Sequence, residues 1–91
     1  MAIDLYLPGS WRRHGLGSSH LIQEPGSLDQ ILSELERSYP LIRTHWRQAD
    51  GRFVDYLQLF VNGVQVALNP LPAQPLHDGD AIDVVLPISG G

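Results

Sequence analysis

Histidine, aspartate and serine side chains could support catalysis or metal binding in this sequence, but their spacing favours neither. No two of the four histidines show metal-ligand spacing: they are His14, His20, His45 and His77. Asp78, Asp80 and Asp83 loosely resemble a calcium loop, but the required glycine and the closing glutamate are missing. No serine lies in a nucleophile motif, and the absence of cysteine excludes thiol nucleophiles and thiolate metal sites. We therefore expect no metal site and interpret the aspartates as turn residues.

The C-terminus offers a different kind of chemistry. The sequence ends in Gly90 and Gly91, a pair that arises by chance about 0.5% of the time at the average glycine content. Glycine has no side chain and adopts backbone conformations closed to other residues, so such a terminus fits where bulkier residues would clash. The pair alone assigns no function, because glycine is common in flexible termini; its place after the last predicted strand makes the carboxylate of Gly91, with Gly90 beside it, the candidate site.

Composition limits the kind of protein that carries this terminus. A chain of 91 residues forms one small domain, and 43% hydrophobic with 18% charged residues is typical of a globular protein. The net charge of −4 argues against binding to nucleic acid. Since no apolar run reaches the length of a membrane span and no signal peptide is recognisable, we expect a cytoplasmic protein without membrane contact.

Alternating apolar and polar residues predict the strands. In residues 2–7, Ile3, Leu5 and Leu7 share one face, and residues 20–23 predict a second strand antiparallel to the first. Asn62-Gly63 lies between two further apolar runs and predicts a hairpin, because both residues tolerate positive φ. The three remaining predicted strands cover 56–61, 64–68 and 81–86. Pro87 ends the last of them.

One helix is predicted between the second and third strands. Ser27 is its N-cap and Gln30, three residues later, completes a capping box. The following apolar residues recur at spacings of three and four and form one stripe: they are Leu28, Ile31, Leu32 and Leu35. Pro40 ends the helix near Tyr39, and residues 41–48 predict a second short helical turn.

The element order of two strands, a helix and three strands predicts an α+β protein of the β-grasp type. One main helix lies across a mixed sheet of about four to five strands and buries one face of it. Residues 1–86 form this domain, and residues 87–91 form a flexible tail.

In three segments the sequence resembles the MoaD/ThiS family of ubiquitin-like sulfur carriers. They are Phe-Val-Asn-Gly at 60–63, Pro-Leu-His-Asp-Gly-Asp at 75–80 and Leu-Pro-Ile-Ser-Gly-Gly at 86–91. The ending is similar to that of the small subunit of molybdopterin synthase. The body is more similar to carriers for cysteine biosynthesis, through Leu7, Pro8, Arg12 and the turn at 50–53.

The resemblance implies a cosubstrate that is not itself an enzyme. In the family mechanism an ATP-dependent, ubiquitin-activating-like enzyme adenylates the terminal carboxylate, and a sulfur donor then displaces AMP to leave a thiocarboxylate. The sulfur passes to a synthase or large subunit in molybdopterin or cysteine biosynthesis, with thiamine as a third route. The resemblance therefore implies no bound cofactor, since ATP is used by the activating enzyme.

Strand alternation also predicts a docking surface. With Leu59 facing the helix, Phe60 points outward, and Val85 does the same on the last strand. Together with Tyr6 they predict an exposed apolar patch, and such patches often mark interfaces. The alternative is that these side chains pack under the loops or the tail. The tail itself completes the predicted contact with partners through Pro87, Ile88 and Ser89.

Two other functions fit the same residues. A ubiquitin-like modifier would also use Gly91, attaching it to lysines of other proteins. A β-grasp interaction module with an incidental glycine tail would not need Gly91 at all.

Overall fold

The computed structural model describes residues 2–9, 11 and 20–86. These form five strands and two helices, in the order β1 Ile3–Tyr6, β2 His20–Gln23, α1 Leu28–Ser38, α2 Pro40–Trp46, β3 Gln58–Val61, β4 Val64–Val66 and β5 Ala81–Val85. The predicted tail, 87–91, lies outside the described residues.

The strands form one mixed sheet in the order β2-β1-β5-β3-β4. β5 pairs in parallel with β1 and antiparallel with β3, which makes the last strand the central one. β2 and β4 are the antiparallel edges. The Asn62-Gly63 hairpin is confirmed, with both residues at positive φ, 51° and 83°.

Helix α1 begins and packs as predicted. The Ser27 hydroxyl accepts a hydrogen bond from the Gln30 backbone N–H at 3.1 Å, and the Gln30 side chain accepts one from Ser27 N–H at 2.9 Å. This reciprocal box satisfies two backbone donors that the first turn leaves without helical partners. All four residues of the apolar stripe are buried in the core with Ile3, Leu5, Leu59, Ile82 and Val84.

Helix α2 closes one end of this core. The predicted second helical turn at 41–48 is present as this short helix, which begins one residue earlier at Pro40, whose fixed φ suits the first helical turn. Trp46 is fully buried, and its indole N–H donates to the Glu36 carboxylate at 2.6 Å. Trp11, for which the sequence suggested no role, is buried against Trp46 with ring centroids 5.7 Å apart. Phe53 also packs edge-to-face against Trp46, with ring centroids 5.9 Å apart.

Four strands are shorter than predicted: β1 by one residue at each end, β5 by one residue, and β3 and β4 by two residues each. β3 begins at Gln58 instead of residue 56, because the chain turns before it, with Leu57 N–H bonded to Val54 C=O at 3.2 Å. β4 ends at Val66 instead of residue 68. Asn69 has a positive φ of 50°, and its side chain accepts from Phe53 N–H at 2.9 Å and donates to Phe53 C=O at 3.1 Å. These bonds hold the chain beside Phe53 and end its pairing with β3.

The sheet has one face against α1 and one open face. Along β3, Leu59 is fully buried while Gln58 is exposed and Phe60 is half-buried, and along β5, Ile82 and Val84 are buried while Val85 is 40% exposed. Within the described ranges, no helix has the length and apolar character needed to cross a membrane.

The neighbouring residues Leu59 and Phe60 on β3 test whether one face of the sheet is core and the other is open. Leu59→Ala should lower the free energy of unfolding by about 2–5 kcal/mol, because it opens a cavity in the core. Phe60→Ala should cost about 1 kcal/mol, the scale of a cross-strand contact on an exposed face. Urea unfolding of the two variants measures both values, and equal losses would place Phe60 in the core.

Candidate functional site: the open face of the sheet

The structure describes the last strand but not the predicted reactive end that follows it. Gly90 and Gly91, together with Pro87, Ile88 and Ser89, lie outside the described residues, so their predicted roles stay predictions. The described chain extends along β5 to Leu86, which is half-buried and packs against the core. The structure therefore shows the strand to which the glycine terminus is attached.

β5 is held along both of its sides. Asp4, Leu5 and Tyr6 of β1 pair with residues 81–83, and residues 58–61 of β3 pair with 82–85. A strand that is paired on both sides and buried on one face frays less readily than an edge strand. The direction in which the chain leaves the sheet is therefore set by the centre of the fold.

A polar cluster of Asn62, His77, Asp80 and Ala81 fixes the beginning of β5. The Asn62 amide donates to the Asp80 carboxylate at 3.0 Å and accepts from Ala81 N–H at 2.9 Å. The other Asp80 oxygen accepts from His77 N–H at 2.8 Å. The hairpin and the turn before β5, both quoted above for the family resemblance, therefore contact each other directly. In the described chain these residues hold the scaffold together.

The carboxylates of the turn aspartates Asp78 and Asp80 accept hydrogen bonds from donors within the protein. The backbone N–H of Ala2 donates to Asp78, and this bond lowers the pKa of the Asp78 carboxyl. The N–H of His77, followed by the Asn62 amide, lowers the pKa of Asp80. Among the described residues, no three histidine or acidic side chains are grouped so that they could hold a metal ion.

The open face carries one row of side chains across all five strands. Asp83, at the centre of β5, pairs in register with Tyr6 on β1 and with Phe60 on β3. Tyr6 in turn pairs with His20 on β2, and Phe60 pairs with Gln65 on β4. Two of the three residues predicted for the docking patch therefore flank a carboxylate. Val85, the third, lies two residues further along β5, opposite Gln58.

The patch is exposed on its β1 side. Tyr6 is 41% exposed, and its ring stacks on His20 at a centroid distance of 4.6 Å with 9° between the planes. His20 Nε2 lies 2.9 Å from the Asp4 carboxylate. Ile22, two residues after His20, is 58% exposed on the same face. Tyr6 and Val85 are thus not covered by the described loops.

Sequence reasoning missed two residues of this face: His20 and Ile22. The alternation of β2 carried the signal for His20 and Ile22, since Leu21 between them faces the core. The sequence places Asp83 in the predicted strand 81–86, where alternation directs it outward like Val85; its additional interpretation as a turn residue is wrong, because it lies in the middle of β5. Its place between two aromatic residues depends on which strands are neighbours, and no local pattern contains that information.

A groove lies between the hairpin and the proline-rich segment that follows β4. Its volume is about 240 Å³, and Val61, Val66, Pro72 and Leu76 are among the residues that line it. Asp80 is the carboxylate on its lining, and hydrogen bonds within the protein already engage both of its oxygens.

Comparison with known proteins decides the family. The model of the ThiS family matches residues 10–91, nearly the whole chain. The chain belongs to the ThiS family. The resemblance to MoaD/ThiS carriers is confirmed, and the match includes the Gly-Gly terminus. No curated protein matches the sequence closely enough to count as a relative.

Solved structures share the fold of this ThiS-family chain at low sequence identity. SAMP1 from Haloferax volcanii is 20% identical, aligns over 100% of both chains and gives a TM-score of 0.79. A chain of the Amycolatopsis orientalis BexX/CysO complex is 18% identical over 99% of this chain and 100% of its own, also at 0.79. CysO from Mycobacterium tuberculosis is 21% identical over 92% and 97%, at 0.76. These likenesses confirm the predicted ubiquitin-like β-grasp.

The hydrogen bonds to Asp78 and Asp80 predict a loss of stability in acid. Both folded-state pKa values lie below the ordinary aspartate value, so the stabilisation is present above pH of about 4 and disappears as pH falls through the folded values. Asp80→Asn should lower the free energy of unfolding at pH 7. The same substitution should make the free energy of unfolding fall less steeply as the pH drops from about 5 to 2.

Urea unfolding across this pH range measures the effect. Asp55→Asn is the control, because Asp55 is an exposed turn residue to which the described chain donates no hydrogen bond. If the free energy of unfolding of Asp80→Asn depends on pH as steeply as that of the wild type, the pKa of Asp80 does not differ between the folded and unfolded states.

Proposed function

We propose that this protein is a sulfur carrier whose terminal Gly91 is adenylated by an activating enzyme and then converted to a thiocarboxylate. One observation carries the proposal: the ThiS-family match runs through residue 91 and so includes the glycine pair. The small carriers of this family are generally not catalysts. The chain is accordingly a cosubstrate that is consumed and regenerated.

The chemistry explains why the reactive group is a carboxylate. A carboxylate is a poor electrophile, and its oxygen must first attack the α-phosphorus of ATP and release pyrophosphate. The acyl-adenylate then has a good leaving group, and a sulfur nucleophile displaces AMP to form the thiocarboxylate. Because the chain has no cysteine, the transferable sulfur is held on the carbonyl carbon of Gly91.

The tail residues suit a reaction inside another protein. ATP is bound by the activating enzyme, so the terminus enters that enzyme's nucleotide site. Gly90 and Gly91 present only backbone there. Pro87 restricts the base of the tail and so lowers the entropy lost on docking. Ile88 and Ser89, between these two parts in the sequence, are the other tail residues expected to contact partners.

The open face of the sheet supports docking to the activating enzyme. Tyr6, Phe60 and Val85 lie on this face, and the central strand that carries Val85 continues toward Gly91. Docking through this face therefore aligns the tail with the enzyme at the same time. A sulfur-accepting synthase or large subunit is the second partner, and it receives the thiocarboxylate after the activating enzyme dissociates.

The acceptor belongs to molybdopterin or cysteine biosynthesis, with thiamine as the third alternative. The terminus is similar to that of the molybdopterin synthase small subunit, and the body is similar to cysteine-biosynthesis carriers. Chains named CysO occur among the similar structures from two organisms, which adds weight to the cysteine route.

Protein modification is the second candidate function. The similar structures include small archaeal modifier protein 1 from Haloferax volcanii and from Methanosarcina acetivorans. A modifier would use the same adenylate, with a lysine amine of a target protein as the nucleophile in place of sulfur. The two functions therefore differ in the product formed at Gly91.

The mass of the protein from its own cells distinguishes these functions. The carrier should contain a fraction of molecules with one sulfur in place of one oxygen at the C-terminus, measured by intact-mass spectrometry. Isopeptide-linked conjugates in place of that species would instead identify a modifier.

Extending the chain by one alanine after Gly91 is the matched control for this measurement. It leaves the domain unchanged and moves the carboxylate away from the second glycine, so it should abolish the sulfur-containing species. An extended protein that still functions in its cells would support an interaction module with an incidental tail.

Phe60→Asp tests docking separately from the tail. The charge should disrupt the apolar contact and lower ATP–pyrophosphate exchange by at least about a hundredfold, the effect of losing an interface hot spot. The unfolding temperature should fall by only roughly 4–8 °C, the shift that a loss of about 1 kcal/mol produces in a domain of this size. Ala49→Asp, at an exposed turn residue outside the sheet, is the control for added charge. A Phe60→Asp variant with full exchange activity would exclude this face as the docking surface.

A further inference from the structure

Asp83 is a charged residue at the centre of an otherwise apolar and aromatic part of the open face. It is half-buried, and its cross-strand neighbours are Tyr6 and Phe60. Within residues 2–9, 11 and 20–86, no side chain or backbone group donates a hydrogen bond to its carboxylate. Among the described residues, no side-chain nitrogen or oxygen atom is both buried and without a hydrogen-bond partner, so solvent reaches the Asp83 carboxylate. A partner that covers this face must therefore supply a donor, because a carboxylate buried without one is costly.

The other acidic residue of this face is already engaged. Asp4 lies beside Tyr6 on β1, and its carboxylate is 2.9 Å from His20 Nε2. His20 also stacks on Tyr6. The ring of Tyr6 is therefore fixed on one side by His20, and its other side is next to Asp83. Of the two acidic residues on the strands of this face, Asp83 is therefore the one whose carboxylate can pair with a cation of a partner protein.

The arginines of the described chain lie away from Asp83. They are Arg37 on α1, Arg43 and Arg47 at α2, and Arg52 in the turn after it. Arg37 pairs with Glu34 at 2.9 Å, and Arg43 and Arg47 pair with Glu36 at 3.7 and 2.8 Å. The positive charge described is thus on the helical side of the molecule, and the strands of the open face carry Asp4 and Asp83.

A guanidinium group matches the surroundings of Asp83 better than other cations. Arginine binds a carboxylate through two parallel N–H donors, and its plane stacks on aromatic rings. Cation–π contact requires an aromatic face near the charge, and here an aromatic residue lies on each side of the carboxylate. The ammonium of lysine is a strongly hydrated point charge that gains less from this arrangement.

We propose that the activating enzyme inserts an arginine between Tyr6 and Phe60, where it pairs with Asp83. This inference rests on the proposed function, because it names the partner chemistry of the same docking face. The apolar contacts of Phe60 and Val85 supply buried area, and the Asp83 pair fixes orientation and rejects partners that lack the cation. Surrounding side chains exclude water from the pair and so strengthen it.

The conservative variant Asp83→Asn tests the inference, because it keeps the shape and removes the charge. The KM for the carrier in ATP–pyrophosphate exchange should rise at least about tenfold, while kcat stays within about twofold. A merely structural role would lower thermal stability and leave KM unchanged. Asp55→Asn, an exposed turn aspartate away from the open face, is the matched control and should behave like the wild type.

Charge reversal identifies the partner residue. Asp83→Arg should weaken activation further, and one Arg→Asp variant of the activating enzyme should restore it for this carrier alone. If Asp83→Asn keeps the wild-type KM, or if no arginine reversal rescues Asp83→Arg, the inference is wrong. If wild-type protein supports no exchange at all, the proposed function fails first, so the two failures are distinguishable.

Discussion

The pairing of β5 between β1 and β3 is the constraint on which the rest of this structure depends. It is the last strand in the chain and the central strand in the sheet, so the sheet is complete only after the C-terminal part of the chain has inserted. Ile82 and Val84 then bury one face against α1. The same insertion places Asp83 and Val85 on the open face and sets where the terminal segment begins.

The two faces of the sheet have separate tasks because strand side chains alternate. The inner face packs on α1, and the adjoining Trp11, Trp46 and Phe53 cluster extends the core beneath α2. This gives a small domain enough buried apolar surface to leave the other face open. Substitutions on the open face can therefore change the chemistry of this surface without altering the core, as the proposed docking role requires.

The segments that resemble the family have different physical roles. Asn62 and Asp80, from two of them, bond to each other and fix the start of β5. These two segments stabilise the fold. Few residue types suit their positions, because the backbone there needs positive φ and the side chains must pair by hydrogen bonds. The third segment carries the glycine pair and has the proposed chemistry. Recognition from sequence thus depended on residues that build the support as much as on those that react.

Local patterns in the sequence determined the elements: the capping box at Ser27, the apolar stripe of α1, the Asn62-Gly63 turn and the alternation that directs Phe60 and Val85 outward. These signals involve residues within a few positions of each other, where propensity and periodicity act. Strand order, the burial of Trp11, the early end of β4 at Asn69 and the row from Tyr6 through Asp83 to Phe60 were decided only by the tertiary structure. Alternation states which face a side chain takes but not which strand lies beside it, because that choice depends on packing between distant parts of the chain.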